Sequence, residues 1–378
     1  MFRNYSIRDY DFRLVILVAL LSVIGIVAIG SADEALQEKQ LLGVIAGFAM
    51  MIFISLISYN FIIKFNWVIY GVNILLLGSV LITDAGSSSN NAQRWLQIGG
   101  LRFQPSELAK ILLILFFAQF IMKYRNKLNT FRIIGLCVLL VAVPWALIFK
   151  QPDLSTSIMV IIIFAFIMFA GGINWRIIAA VFAVTVPTLI ILMTIATQPD
   201  NDLLSDYQKR RILAFRNPEQ YVMDEAYQQN NSVIAIGSGQ LNGKGYKNNE
   251  FTSVKNGNFI SEDETDFIFS VIGEEFGFKG CLFVIVLIVL ISVECVGIAR
   301  RAKDTAGCII AASVGGLIMM QSFINIGVTL FILPNTGLPL PFVSYGLTSL
   351  WSLYIGIGVV LNVRLQGKKG NPAEREEF

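Results

Sequence analysis

Histidine is absent from the 378 residues and cysteine occurs four times. Without an imidazole there is no His-based triad, no haem ligand and no H-E-x-x-H zinc site. Cys137, Cys281, Cys295 and Cys308 lie in or beside apolar runs, never in a C-x-x-C spacing. They read as small hydrophobes rather than a redox pair or zinc cage. Proton transfer would fall to carboxylates, lysine or tyrosine. Charge is also scarce. Asp, Glu, Lys and Arg make up 15% of the chain, against about 25% in a soluble domain. A net charge of +3 is too small to suggest a nucleic-acid partner. Neither G-x-x-x-x-G-K-[ST] nor G-x-G-x-x-G is present, which argues against direct nucleotide-driven work.

What remains is apolar. Hydrophobic residues make up 55% of the chain, and the mean hydropathy is +0.67. A soluble chain of this length would form two or three domains of about 100–200 residues, but this composition could not cover a water-facing surface. Disorder, collagen and a secreted disulfide scaffold are excluded as well. A bilayer is the solvent that suits it.

A membrane span needs about 20 mostly apolar residues. Runs over 14–30, 41–58, 67–83, 106–122, 133–149, 156–173, 177–197, 280–299, 307–333 and 347–363 meet that need when extended slightly into the interfaces. The expectation is an all-α polytopic membrane protein of ten transmembrane helices, forming a single domain over 1–378. The first run is too long for a signal-peptide core, despite the cleavage-like Gly30-Ser31-Ala32, and reads as an anchor. The stretch Phe267–Phe276 reads as a helical element continuous with the eighth span.

Orientation follows from Lys and Arg in the short loops. One side holds sixteen, including Lys123, Arg125, Lys127 and Arg132, and Arg300, Arg301 and Lys303; the other holds four, Lys39, Arg94, Arg102 and Lys150. Both termini are therefore expected in the cytoplasm, with the short tail 364–378 there. One large extracytoplasmic loop, about 198–265, joins spans seven and eight. The polar, motif-like stretches 91–110, 150–157, 205–275 and 334–346 then all fall outside.

Ionisable residues at membrane depth are costly and mark candidate sites. In Gln104-Pro105-Ser106-Glu107-Leu108-Ala109-Lys110, proline and serine open a helix. Glu107 and Lys110 share a face at i and i+3, as a structural pair, as the lining of an outer cavity, or as both. Asp266 precedes an apolar helix; it reads as an N-cap, a role Thr265 could fill, or as a partly desolvated base. Glu274 and Glu275 form a tandem acid pair at similar depth. Asp153 reads as the cap of the sixth span or as a site residue. Lys209, Arg210 and Arg211 form a solvated face or a diphosphate site, and Arg94 carries the same two readings. Three prolines and two glycines in Pro334–Gly346 forbid a continuous helix, so a shaped loop over the outer cavity is expected. Asn325 reads as an interhelical hydrogen-bonding residue.

Several segments, in order, resemble the SEDS family (RodA, FtsW and SpoVE). They are Gln93-Arg94-Trp95, Gln104-Pro105-Ser106-Glu107-Leu108-Ala109-Lys110, Gln151-Pro152-Asp153-Leu154, Tyr207-Gln208 with Arg211-Ile212, Gly237-Ser238-Gly239 with Gly243-Lys244-Gly245, Thr265-Asp266-Phe267-Ile268-Phe269, Gly273-Glu274-Glu275, and Gly337-Leu338-Pro339-Leu340-Pro341-Phe342-Val343-Ser344-Tyr345-Gly346. Q-P-S-E-L-A-K, T-D-F-I-F and G-L-P-L-P-F-x-S-Y-G in this order are the specific ones. The resemblance implies a peptidoglycan glycosyltransferase that polymerises lipid II at the outer leaflet. Its implied partners are a class B penicillin-binding protein and elongasome membrane proteins. By the same resemblance the essential aspartate is Asp266 and the cavity pair is Glu107 and Lys110. Arg94, Asp153, Arg211, Lys244 and Glu274 are the further substrate-binding candidates. The short cytoplasmic start and tail look more like the elongation (RodA) branch.

Three departures stand out. Glu264 occupies the place of a family histidine, Asn231-Ser232 replaces Q-S, and Leu347-Thr348 follows Tyr345-Gly346 where G-S is common. Extra acid beside Asp266 could raise its basicity or recruit a divalent cation; the sequence decides neither, and no other cofactor is implied. The rival class is a lipid II flippase or other ion-coupled lipid transporter, with Glu107, Lys110, Glu274 and Glu275 as its path. A non-catalytic scaffold is the third reading.

Overall fold

The computed structural model describes residues 10–82, 94–98, 101–177, 179, 180, 183, 187, 194, 213–215, 225–247, 260 and 263–367. Apolar runs become helices bounded by local capping chemistry. Helix α1 (Phe12–Ala32) opens with the Asp11 carboxylate accepting from the Leu14 amide at 3.2 Å, and α2 (Glu34–Leu56) with Asp33 accepting from Ala35 at 2.8 Å. A short helix α3 (Tyr59–Ile63) leads to α4 (Asn66–Ile82). An antiparallel hairpin, β1 (Leu96–Ile98) and β2 (Leu101–Phe103), pairs Gln97 with Arg102. It delivers the chain to α5 (Pro105–Tyr124), which has proline at its start, Glu107 in its first turn and Lys123 in its last. That order suits both the missing proline N–H and the helix dipole.

Helix α6 (Phe131–Lys150) carries Pro144 in its interior, and α7 (Leu154–Ala170) is capped by Asp153. Helix α8 (Glu225–Ser238) leads into α9 (Ile268–Arg300), which breaks at Gly277, where φ is 63°. Helices α10 (Thr305–Thr329) and α11 (Leu347–Leu365) complete the described chain.

Seven of these helices, α1, α2, α5, α6, α9, α10 and α11, are long and apolar enough to cross a membrane, and α4 and α7 are shorter apolar helices. They coincide with nine of the ten expected spans. The remaining run, 177–197, falls largely outside the described residues. Helices α5, α10 and α11 are mostly buried, and α6 lies at the periphery. Large apolar side chains such as Leu75, Phe131 and Leu139 stay exposed on outer helices, as expected where lipid replaces water. All four cysteines are free; Cys137, Cys281 and Cys295 are buried.

Long-range polar ties lock the bundle. The Asn362 amide donates to the Ser55 carbonyl at 2.7 Å and its oxygen accepts from the Tyr59 amide at 2.8 Å. Ser22 and Tyr354 share a 2.7 Å bond between α1 and α11. Helix α8 is held to the end of α10 by Gln229, which donates to the Val328 and Leu333 carbonyls at 2.9 Å, and by Ser232, which donates to Thr329 at 2.8 Å.

Candidate functional site

Asp266 sits in the turn before α9, half-buried, and its backbone is fixed from two directions. From α10, the Asn325 amide donates to the Asp266 carbonyl at 2.8 Å and to the Leu338 carbonyl at 2.7 Å. From the proline-rich loop, the Ser344 hydroxyl donates to the Thr265 carbonyl at 2.6 Å, and the Tyr345 amide donates to the Glu264 carbonyl at 2.9 Å. The Ser344 oxygen also accepts from the Leu340 amide at 2.7 Å, closing the loop on itself. Neither Asp266 nor Thr265 is the N-cap. That position is Phe267, with no side-chain capping bond; Thr265 and Asp266 lie just before it, in the turn held by the neighbouring loop.

The loop is buried rather than draped over the surface. Leu338, Leu340, Phe342 and Val343 are almost fully covered. Phe342 takes φ 63° and Gly337 φ 72°. Helix α1 presses so closely on it that a Cβ at Gly25 would stand 2.7 Å from the Phe342 carbonyl oxygen and 2.8 Å from Val343. This is the irregular backbone, enclosed by protein, that the prolines demanded.

The Glu107–Lys110 pair forms as the spacing predicts. The Lys110 ammonium donates to Glu107 Oε1 at 2.8 Å, with both side chains essentially buried. It also donates to Gln321 Oε1 at 2.8 Å, and Gln321 Nε2 donates to the Pro339 carbonyl at 2.9 Å. Glu107 Oε2 has no partner among the described residues. Gln321 and Asn325 are one turn apart on α10, so one helix face braces the acid–base pair, the loop and Asp266 together.

Asp153 does more than cap α7. Its carboxylate accepts from the Thr156 amide at 3.1 Å and hydroxyl at 2.8 Å, from Gln104 at 3.2 Å and from Ser106 at 3.4 Å. It therefore clamps the start of α7 to the start of α5. Arg94 donates to the backbone carbonyls of Gln151 (3.3 Å) and Pro152. It braces the same turn.

Lys244 and Glu274 pair with each other at 2.7 Å. The tandem acid beside them, Glu275, accepts from Ser31 and from the Lys247 amide, so both acids are buried and neither reaches the surface. The glycines of Gly239-Gln240-Leu241-Asn242-Gly243 allow this segment to touch the backbone of Gly273–Glu275, where no Cβ would fit. Arg211, with Lys209 and Arg210, lies outside the described residues, as does most of the loop about 198–265. Among the described residues, no three acidic or cysteine side chains converge as a metal site.

Four residues of this region, Gln321, Tyr345, Arg102 and Thr348, were not singled out as site candidates from the sequence. Gln321 is a polar side chain within an apolar span, a visible signal. Tyr345 lies within the proline-rich motif. Burial pushes its phenol above the ordinary tyrosine range, Arg102 pulls it down, and Asp33 and Glu264 push it up. Arg102 is thus close enough to influence Tyr345, beside the Asp266 turn, and is itself exposed. Thr348, one of the sequence departures, bonds the Arg102 carbonyl and the Gln104 amide at 3.3 Å each, seating the hairpin on α11.

A family model for cell cycle proteins covering FtsW, RodA and SpoVE matches residues 10–369. The peptidoglycan glycosyltransferase MrdB of Escherichia coli (strain K12) is 34% identical over 94% of this chain and 93% of its own. The probable peptidoglycan glycosyltransferase FtsW of Geobacter metallireducens is 31% identical over 97% of both. Among solved structures, a chain of a peptidoglycan synthase complex superposes with a TM-score of 0.76 at 27% identity, over 94% of this chain and 97% of that one. The crystal structure of the rod shape determining protein RodA of Thermus thermophilus gives 0.69 at 27%, over 96% and 98%. This chain belongs to the FtsW/RodA/SpoVE family of cell cycle proteins.

Proposed function

We propose that this protein is a peptidoglycan glycosyltransferase of the bacterial cytoplasmic membrane. It polymerises lipid II into glycan strands at the outer face, for elongation and shape, beside a class B penicillin-binding protein and other elongasome membrane proteins. Support comes from the relatives' activity, from the peptidoglycan synthase complex among the similar structures, and from the site itself. The topology that goes with this reading has ten spans, both termini in the cytoplasm and the large loop outside.

The observation that carries the reading is the bracing of Asp266. Asn325, Ser344 and Tyr345 hold the backbone on both sides of one half-buried carboxylate. Such preorganisation suits a general base. Asp266 removes the proton of an acceptor sugar hydroxyl, which attacks the anomeric carbon of a polyprenyl-diphosphate-linked glycan. The bond to the diphosphate breaks, and the diphosphate leaves carrying the electron pair. Growing charge on the leaving group calls for cations. Lys110 is enclosed and engaged with Glu107 and Gln321, so in this geometry it holds the site's shape. Arg94 braces its turn. Arg102, exposed near the Asp266 turn, is a cation able to meet a phosphate directly, and Arg211 is a further candidate.

The test is Asp266→Asn, reconstituted with the class B partner and labelled lipid II. Loss of polymerisation by about 100- to 10,000-fold is expected, with an unchanged melting temperature. Normal glycan synthesis by the folded variant would remove Asp266 from the mechanism. A carrier reading draws on the buried Glu107 and its unpartnered oxygen. Lipid II crossing vesicle membranes without being polymerised would favour it.

A further inference from the structure

One open hollow among the described residues lies apart from the acid–base pair. It is a cavity of about 610 Å³ at the other end of α5, where the chain leaves Lys123 and turns through Arg125–Lys127, facing the start of α10. Lys110 to Lys127 spans seventeen residues, about 25 Å at 1.5 Å per helical residue. The hollow therefore belongs to neither the acid–base pair nor the braced aspartate.

Its charge is one-sided. Lys123, Arg125, Lys127 and Lys303 line it, against a single acid, Asp304. That acid is already committed to neutral donors. Oδ1 caps α10 by accepting from the Gly307 amide at 2.8 Å, and Oδ2 accepts from the Tyr59 hydroxyl at 2.7 Å. Lys123 and Lys127 have no carboxylate within ion-pair distance among the described residues, and Lys303 reaches only the Gln366 amide oxygen, at 3.4 Å. Lys123 lies 5.7 Å from the centre of the Tyr124 ring, on the same wall as Met122. The cavity thus joins several cations to an amphipathic aromatic wall at the ends of two membrane-crossing helices. Phosphate groups of a bilayer run at that depth, and basic pockets between helix ends suit anionic headgroups.

We propose that this hollow is a binding site for a phosphate-bearing anion, sized for the headgroup of an anionic phospholipid rather than for a single small ion. The cations meet the phosphate, and the Met122–Tyr124 wall meets the apolar part beside it. Occupancy ties the α5 exit turn to the start of α10, at the opposite end of the two helices that carry Lys110 and Gln321.

The test uses the full chain in nanodiscs of phosphatidylcholine, titrated with phosphatidylglycerol and, separately, with inorganic phosphate. A saturable rise in melting temperature is read for each. The triple variant Lys123→Gln/Lys127→Gln/Lys303→Gln is compared with Lys→Arg at the same positions. Apparent affinity should fall on the order of a hundredfold in the glutamine variant, for about fivefold per charge over three charges, and persist in the arginine variant. Melting in pure phosphatidylcholine should match wild type for both, which separates lost binding from misfolding. A response to phosphatidylglycerol at concentrations where phosphate has none assigns the lipid; an equal response assigns the free anion. Saturation that is identical in the glutamine variant, or no saturable response to either probe, overturns the proposal.

Discussion

Replacing Lys110 by methionine tests how the buried pair is held. The substitution nearly keeps the volume but removes the partner of Glu107 Oε1, while Glu107 Oε2 already has none among the described residues. Both side chains are almost fully enclosed. Removing one partner of a buried pair costs about 3–5 kcal/mol, because the other charge stays behind uncompensated. Over 378 residues, an unfolding entropy of about 2.1 cal/mol/K per residue gives roughly 0.8 kcal/mol/K, so Lys110→Met should lower the melting temperature by about 4–6 °C. The double variant Glu107→Leu/Lys110→Met removes the stranded charge as well, and such replacements are often neutral or stabilising. It should recover most of the loss; the remainder, about 1 kcal/mol, reflects the Gln321 oxygen left without a donor. The assay is thermal unfolding of the three proteins in one detergent, with polymerisation measured in parallel. Equal destabilisation by the single and double variants would refute the idea that Glu107 depends on Lys110.

Two further substitutions probe the frame around the site. Gly25→Ala should destabilise by about 1–3 kcal/mol through overpacking, although alanine favours a helix by about 1 kcal/mol, because the new methyl meets the Phe342 carbonyl; a melting temperature at or above wild type would show that α1 does not press on the loop. Asp153→Ala should cost about 1–2 kcal/mol as a lost cap and Asp153→Asn less, both read by thermal melts; equal losses would mean that the carboxylate's charge is what matters.

Local chemistry made much of this legible in advance. Apolar run length located nine described helices, although α2 begins seven residues before its run and α9, kinked at Gly277, begins well before the apolar core that marked it. The i, i+3 spacing predicted the Glu107–Lys110 pair, and Pro105 and Asp153 announced helix starts because each acts within one turn. The prolines of Pro334–Gly346 announced a loop for the same reason. What escaped is long-range. Gln321 meets Lys110 from 211 positions away, and Ser344 meets Thr265 from 79; no periodicity encodes such meetings. Lys244 and Glu274 were each read as site residues, yet they face one another, since a charge pattern reveals sign but not partner. The capping position predicted at Asp266 or Thr265 falls instead on Phe267, because the turn before α9 runs one residue further than the apolar pattern indicates.

The interruption at Gly277 has a mechanical consequence. Four backbone hydrogen bonds cross it: Lys244 to Glu274 (2.9 Å), Gly245 to Glu275 (3.0 Å), Phe278 to Gln240 (2.8 Å) and Lys279 to Leu241 (3.3 Å). Two of them tie the 240–245 strap to the short rod 268–276 and two tie it to the helix below the break, so at about 1 kcal/mol net for each, freeing the strap from either half would forfeit roughly 2 kcal/mol. The strap therefore splints the two halves of α9 across the break. A tug on the strap would load both halves at once, so the kink at Gly277 is held stiff from outside rather than by the helix's own ladder.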